Sequence, residues 1–184
     1  MKKLFTLATV LMAGLANAAT IQWNVNTPNR VDFGGSSVGK NGTAYVVFLG
    51  TGDLSSLTYA DLIAKPTVGE PLTTSVGKVN KKPVSVDSET GVGNYALYMT
   101  YVSGEKTYYN VSTSLYQLKT ADVAKLLSDG TALPASSFAF SDSKPTTSMS
   151  TTSASSGGWV AVPEPSTAAL ALAGLALLLK RRKA

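Results

Sequence analysis

The sequence predicts a mainly β fold of the α+β kind: an antiparallel, β-sandwich-like single domain with two short helices, followed by a C-terminal transmembrane helix. Three observations carry that expectation. Apolar side chains alternate with period two in several short runs, as half-buried strands require. Glycine-rich turn signals separate those runs, at Gly34-Gly35, Asn41-Gly42, Gly50-Thr51-Gly52 and Gly91-Val92-Gly93. Only two segments of the central chain open with a capping threonine and an acidic residue soon after it.

The elements follow in order. Residues 21–25 place Ile21, Trp23 and Val25 on one face, and residues 44–49 are a continuous apolar run of strand length. Residues 58–64 read as the first helix, with Thr58 as N-cap, Asp61 where the helix dipole favours an anion, and Pro66 beyond its end. Residues 84–86 are a short strand candidate. Residues 95–102 put Tyr95, Leu97, Met99 and Tyr101 on one face, with Tyr98 and Val102 on the other. Residues 106–111 are β-rich again. Ser103-Gly104-Glu105-Lys106 joins the two as a hairpin, with Gly104 opening a type II′ turn that needs positive φ. Residues 120–128 read as the second helix: Thr120 as N-cap, Asp122 early, Val123, Leu126 and Leu127 inward, Gly130 as C′. Residues 137–140 are a further strand candidate. At a constant offset of 61, Leu54, Leu57, Ala60, Asp61, Gly69, Leu72 and Ser75 recur as Leu115, Leu118, Ala121, Asp122, Gly130, Leu133 and Ser136. A duplicated strand–helix–strand unit and chance similarity account for this equally well.

The two ends carry different grammar. Lys2 and Lys3, the uncharged apolar run 4–15 and the small-x-small site Ala16-Asn17-Ala18 form a secretory leader over residues 1–18, with cleavage after Ala18. The mainly β body then spans 19–140. Residues 141–161 read as a Ser/Thr/Gly-rich linker: eleven Ser or Thr lie within 141–158, too polar to offset their ordering entropy. Such a coil reaches about 25 Å. The tail, 162–184, has three parts. Val162-Pro163-Glu164-Pro165-Ser166 is held extended by its prolines. Residues 167–179 form an uncharged apolar helix, short for a span that needs about 20 residues. Lys180, Arg181, Arg182 and Lys183 are a basic stop that stays on the cytoplasmic side.

Charge follows the same division. The formal charge is +5 and the pI is near 9.4, yet residues 19–162 hold ten basic and ten acidic side chains. The excess belongs to the ends, so the body has no basic stripe and nucleic acid is excluded as a partner.

The tail residues Val162-Pro163-Glu164-Pro165-Ser166, the apolar helix and the terminal Lys/Arg run resemble a PEP-CTERM sorting signal of Gram-negative bacteria, also known as the ice-binding-protein C-terminal motif. The resemblance implies an exosortase as transient processing partner and the inner membrane as transient anchor. It further implies release of the body to the cell surface or extracellular matrix. It covers about 23 residues and says nothing of the body's activity.

Chemistry in the body is sparse. With no His and no Cys, a conventional triad, a thiolate nucleophile and the usual zinc ligands are all missing. Asp87-Ser88-Glu89 is a close acidic pair, better read as a solvated loop than as a hydrolytic or Ca²⁺ site. Gly34 to Lys40 resembles a phosphate loop only superficially, with the wrong spacing. No catalytic, cofactor or metal site is expected. The expected function is that of a non-enzymatic surface or matrix protein, delivered by the export machinery and sorted through its tail. Two alternatives stay open. One is a weak carbohydrate-binding module using surface tyrosines, Tyr98 and Tyr108, on exopolysaccharide. The other is a simple C-terminally anchored membrane protein.

Overall fold

An antiparallel sheet and a smaller mixed sheet share one apolar layer, and the period-two alternation explains which side chains fill it. The computed structural model describes residues 18–25, 30–87, 91–129, 133–134, 138–144 and 148–162. In chain order the strands are β1 (Ala18–Val25), β2 (Asp32–Phe33), β3 (Ser36–Ser37), β4 (Gly42–Gly50), β5 (Leu72–Thr73) and β6 (Val79–Asp87). They continue with β7 (Gly93–Ser103), β8 (Lys106–Val111), β9 (Tyr116–Leu118), β10 (Leu133–Pro134) and β11 (Gly158–Ala161). The helices are α1 (Tyr59–Ile63) and α2 (Thr120–Asp129), and a 3₁₀ turn covers Ala154–Ser156. The larger sheet has the order β11-β8-β7-β4-β5, with β9 beside β7; the smaller has the order β10-β1-β6, and β2 and β3 form a ribbon. Named pairings are antiparallel except that of β1 with β10.

The shared core takes Ile21, Trp23 and Val25 from β1, Val84 from β6, Ala44 and Val46 from β4, and Tyr95, Leu97 and Met99 from β7. Trp23 sits at its centre, its ring 5.5–5.6 Å from those of Tyr95, Tyr116 and Phe138. The opposite face of the larger sheet carries a second core, in which Val47, Ala96 and Val111 meet Tyr59 and Leu62 of α1. The expected α1 is present with a full capping box. The Thr58 hydroxyl accepts from the Asp61 N–H at 3.2 Å, and the Asp61 carboxylate accepts from the Thr58 N–H at 3.0 Å. The β7–β8 hairpin has a two-residue loop between the paired Ser103 and Lys106. Gly104 has φ +63° and Glu105 has no positive φ, the signature of the expected II′ turn.

Several expectations change. Residues 84–86 are the end of the nine-residue β6. Residues 137–140 supply only isolated bridges, Phe138 to Val25 and Phe140 to Ser112. Helix α2 begins at Thr120 rather than after it, and Asp122 closes its first turn by accepting from the Lys119 N–H at 3.1 Å. Asp61 and Asp122 thus play one role in both halves. The following strands differ, since β5 pairs antiparallel with β4 while β10 pairs parallel with β1, so sheet pairing does not repeat. Leu126, Leu127 and Gly130 lie outside the described side chains, and the apolar helix 167–179 outside the described residues.

The largest change concerns the segment 141–161, which composition assigns to a linker. Among its described residues the chain folds back onto the body. Met149, Thr152 and Ala154 are buried against α1, and the Tyr59 and Ala60 N–H groups donate to the Thr152 and Met149 carbonyls. Strand β11 then completes the larger sheet against β8. The body therefore extends to Ala161. Serine and threonine satisfy this segment locally, as in the Ser148–Ser150 and Ser153–Ser155 pairs, so few apolar residues suffice. The edge strand β6 carries Lys81-Lys82-Pro83, residue types that discourage pairing with another chain.

Candidate functional site

The sorting segment leaves the body directly from β11, and the sequence explains why that strand holds. Gly158 has φ +88°, and a Cβ there would run into the Ser143 carbonyl oxygen. Only glycine lets the 141–144 segment lie against β11, where the Trp159 N–H donates to the Ser143 carbonyl at 2.6 Å. Trp159 is 1 % exposed; its ring meets Phe33 and Tyr101, and its Nε1 donates to the Asp32 carbonyl at 2.7 Å. Val160 points to the other face and is buried with the second core. The Tyr59 hydroxyl donates to the Gly158 carbonyl at 2.6 Å, and burial pushes that phenol's pKa up. The last ladder contact is the Val162 N–H donating to the Thr107 carbonyl at 2.9 Å. Val162 is half-buried and is both the end of the ladder and the first residue of the proline-containing motif. Pro163, Glu164, Pro165, Ser166 and the basic residues Lys180, Arg181, Arg182 and Lys183 lie outside the described residues. So does Ala16, while Ala18 opens β1 opposite Asp87.

A second feature lies on the outer part of the larger sheet. Tyr45, on β4, stacks on Tyr98, on β7, at 4.9 Å and 18°, and Tyr109, on β8, leans on Tyr98 at 5.9 Å. The neighbouring row runs Thr73, Thr43, Thr100, Tyr109 across four strands. None of these side chains is ionic. Alternation placed Tyr98 on this face, but it is only 7 % exposed, so it is not the open platform expected of it. Burial, and then the adjacent Tyr45 and Tyr109, push the Tyr98 phenol up to about 12. Tyr108 faces the shared core, half-buried, with its ring 4.7 Å from Phe33. The half-buried rings on the outer face are Tyr45 and Tyr109; the first lies outside the tyrosine cluster that the sequence marks around the β7–β8 hairpin, and the second belongs to it. Their register opposite Tyr98 and Thr100 was the available signal.

The remaining candidates have local roles. Asp61 caps α1, and its pKa is lowered by the Thr58 hydrogen bonds. Asp53 holds the turn before α1, its pKa lowered first by the Ser55 hydroxyl and then by the Ser56 and Ser55 N–H groups. Gly34-Gly35 is the turn between β2 and β3, and Gly35 donates to Asp142. The side chain of Asp87 and the whole of Glu89 are outside the described set. Asn110 is fully buried, and its Nδ2 donates to the Ser141 carbonyl, so it is a core residue. Two surface hollows, of about 480 and 510 Å³, each contain a single ionisable side chain, Lys119 and Lys78 respectively.

No curated protein and no solved structure matches the chain. Residues 161–183 do match a family model, the PEP-CTERM protein-sorting motif. The match begins at the last residue of β11 and runs to Lys183, so the chain carries a PEP-CTERM protein-sorting motif, which supports sorting by an exosortase toward the cell surface.

Proposed function

We propose that this is a non-enzymatic component of the cell surface or extracellular matrix. The body is the delivered product and the tail is its address. The observation that carries the reading is the sorting motif at 161–183. The non-enzymatic part is supported by the lack of His and Cys and by hollows that bring no two ionisable groups together. The leader over 1–18, the apolar helix as membrane anchor in transit and the final release complete the route. Deleting residues 167–184 tests it. The truncated protein should fail to appear on the surface of its own host, read by antibody labelling of intact cells. Unchanged surface display would defeat the reading.

A second reading is favoured by the Tyr45–Tyr98–Tyr109 cluster and its row of threonines. An uncharged aromatic and hydroxyl face suits an uncharged polysaccharide, with rings stacking on sugar faces and hydroxyls exchanging hydrogen bonds. Saturable binding of the host's exopolysaccharide that disappears in both Tyr45→Ala and Tyr109→Ala would support it. Binding unchanged in both would remove it.

A further inference from the structure

The turn that leads into β4 holds a dipeptide with chemistry of its own. Asn41 is the only asparagine of the sequence followed by glycine. Asn41 is exposed, and Gly42 is buried. In such a pair the glycine nitrogen can attack the asparagine side-chain carbonyl, because no Cβ obstructs the approach. Packing explains the glycine: a Cβ at position 42 would lie 3.0 Å from side-chain atoms of Thr74 and Val38. The fold thus imposes the reactive pair, and the same packing restrains it. The Gly42 N–H donates to the Thr74 hydroxyl at 3.1 Å, and the Thr74 N–H donates to the Gly42 carbonyl at 3.0 Å. The Thr74 hydroxyl proton is shared between the Gly39 and Gly42 carbonyls, at 2.8 and 2.9 Å. Thr74 is 5 % exposed, so these bonds are shielded from water. Before Gly42, the Asn41 N–H donates to the Val38 carbonyl at 3.0 Å, and the Gly77 N–H donates to the Gly39 carbonyl at 2.8 Å. The backbone is therefore fixed on both sides of the Asn41 side chain.

We propose that Asn41 is a latent self-modification site that Thr74 holds closed. When the turn opens, the Gly42 nitrogen bonds to Asn41 Cγ. The Cγ–Nδ2 bond breaks, and ammonia leaves with the proton of the Gly42 N–H. Water then opens the cyclic imide, its hydroxyl joining a carbonyl carbon and its proton returning to the nitrogen. Attack at Cγ gives aspartate. Attack at the backbone carbonyl carbon gives isoaspartate, whose main chain runs through Cβ and Cγ and is one atom longer. Either product adds a negative charge to residues 19–162, in which ten basic and ten acidic side chains balance. Isoaspartate also lengthens the chain directly ahead of the Gly42–Tyr101 pair that opens the β4–β7 ladder. Water is the only co-reactant, and the chemistry is independent of how the protein is sorted or what it binds.

The test follows the mass of the peptide that contains residue 41. The purified full chain is incubated at mildly alkaline pH, both folded and in unfolding urea. In urea the Asn41 amino group should be replaced by hydroxyl, and in the folded chain about 100-fold more slowly, since reaction waits on local opening. Equal rates in the two conditions overturn the proposal. Thr74→Val removes the acceptor and should speed the folded-state reaction by about 5–10-fold, the worth of one hydrogen bond. Thr74→Ser keeps the hydroxyl and should react near the wild-type rate. Thr58→Ala weakens the body at α1 instead and should leave Asn41 unchanged. A Thr74→Val rate equal to the wild type, or an equal acceleration in Thr58→Ala, overturns the role of Thr74. If Thr74→Val does not fold, hydrogen exchange on the wild type decides: a protected Gly42 N–H supports the closed site, and an unprotected one overturns it.

Discussion

Replacing Trp159 by alanine separates a folded β11 from a linker most sharply. In a solvated linker the substitution changes stability by less than about 0.5 kcal/mol. In the structure Trp159 is 1 % exposed, packed on Phe33 at 5.5 Å and Tyr101 at 5.8 Å, with Nε1 bonded to the Asp32 carbonyl. Truncating a buried tryptophan costs about 3–5 kcal/mol, and the hydrogen bond accounts for about 1 of that. A loss near 4 kcal/mol is a large part of the 5–15 typical of a domain, and lowers Tm by roughly 12–16 °C at this size. Urea unfolding of residues 19–162 measures it. Trp23 and Trp159 are the two tryptophans, so the variant leaves Trp23, at the centre of the shared core, as reporter. Trp159→Phe should lose about 1–2 kcal/mol. A loss below about 1 kcal/mol in Trp159→Ala with an unchanged m-value would refute the docking of β11.

Val76 and Gly77 form the two-residue turn between the bridged Ser75 and Lys78, with φ of 54° and 73°. Val76 is a β-branched residue in the left-handed region and 66 % exposed, so Val76→Asn should stabilise the body by about 1 kcal/mol, seen as a higher urea midpoint. Thr58→Ala removes one half of the α1 capping box and should cost about 1 kcal/mol on the same scale, with Thr58→Ser largely neutral. Tyr98 has a raised folded-state pKa, so the folded state holds its proton longer than the unfolded chain does. Its contribution is complete below about pH 10 and is lost as pH rises through about 12. Urea midpoints measured across that range should fall with pH, and less steeply in Tyr98→Phe.

The strands that alternate cleanly were legible. Ile21, Trp23 and Val25, and Tyr95, Leu97 and Met99, all face the shared core as their spacing requires. The β7–β8 hairpin and the α1 cap were legible too, because glycine at positive φ and a Thr-x-x-Asp box are local chemistry. Strand β11 was not. Trp159-Val160-Ala161-Val162 is a fair β-run, but its partner Val111 is far away in sequence, and a serine-rich approach hides it. The same segment misled the reading of Tyr98. Alternation assigns its face, but only the packing of α1 and the 148–157 segment decides that this face is largely covered. Tyr45 and Tyr109 pack against the margin of the same cluster and stay half-buried.

The bond from Trp159 to Asp32 joins residues separated by 127 positions. The strand it secures is the last among the described residues, and it forms one margin of the larger sheet. Until residues 158–161 are present, β8 has an open side, and Phe33 and Tyr101 lack the ring they enclose. Such late, non-local closure makes folding slow and postpones it toward the end of chain delivery. On the export route proposed above, in which the chain threads a narrow conduit before it folds, postponement keeps the chain threadable. The final lock engages only when the sorting segment itself arrives.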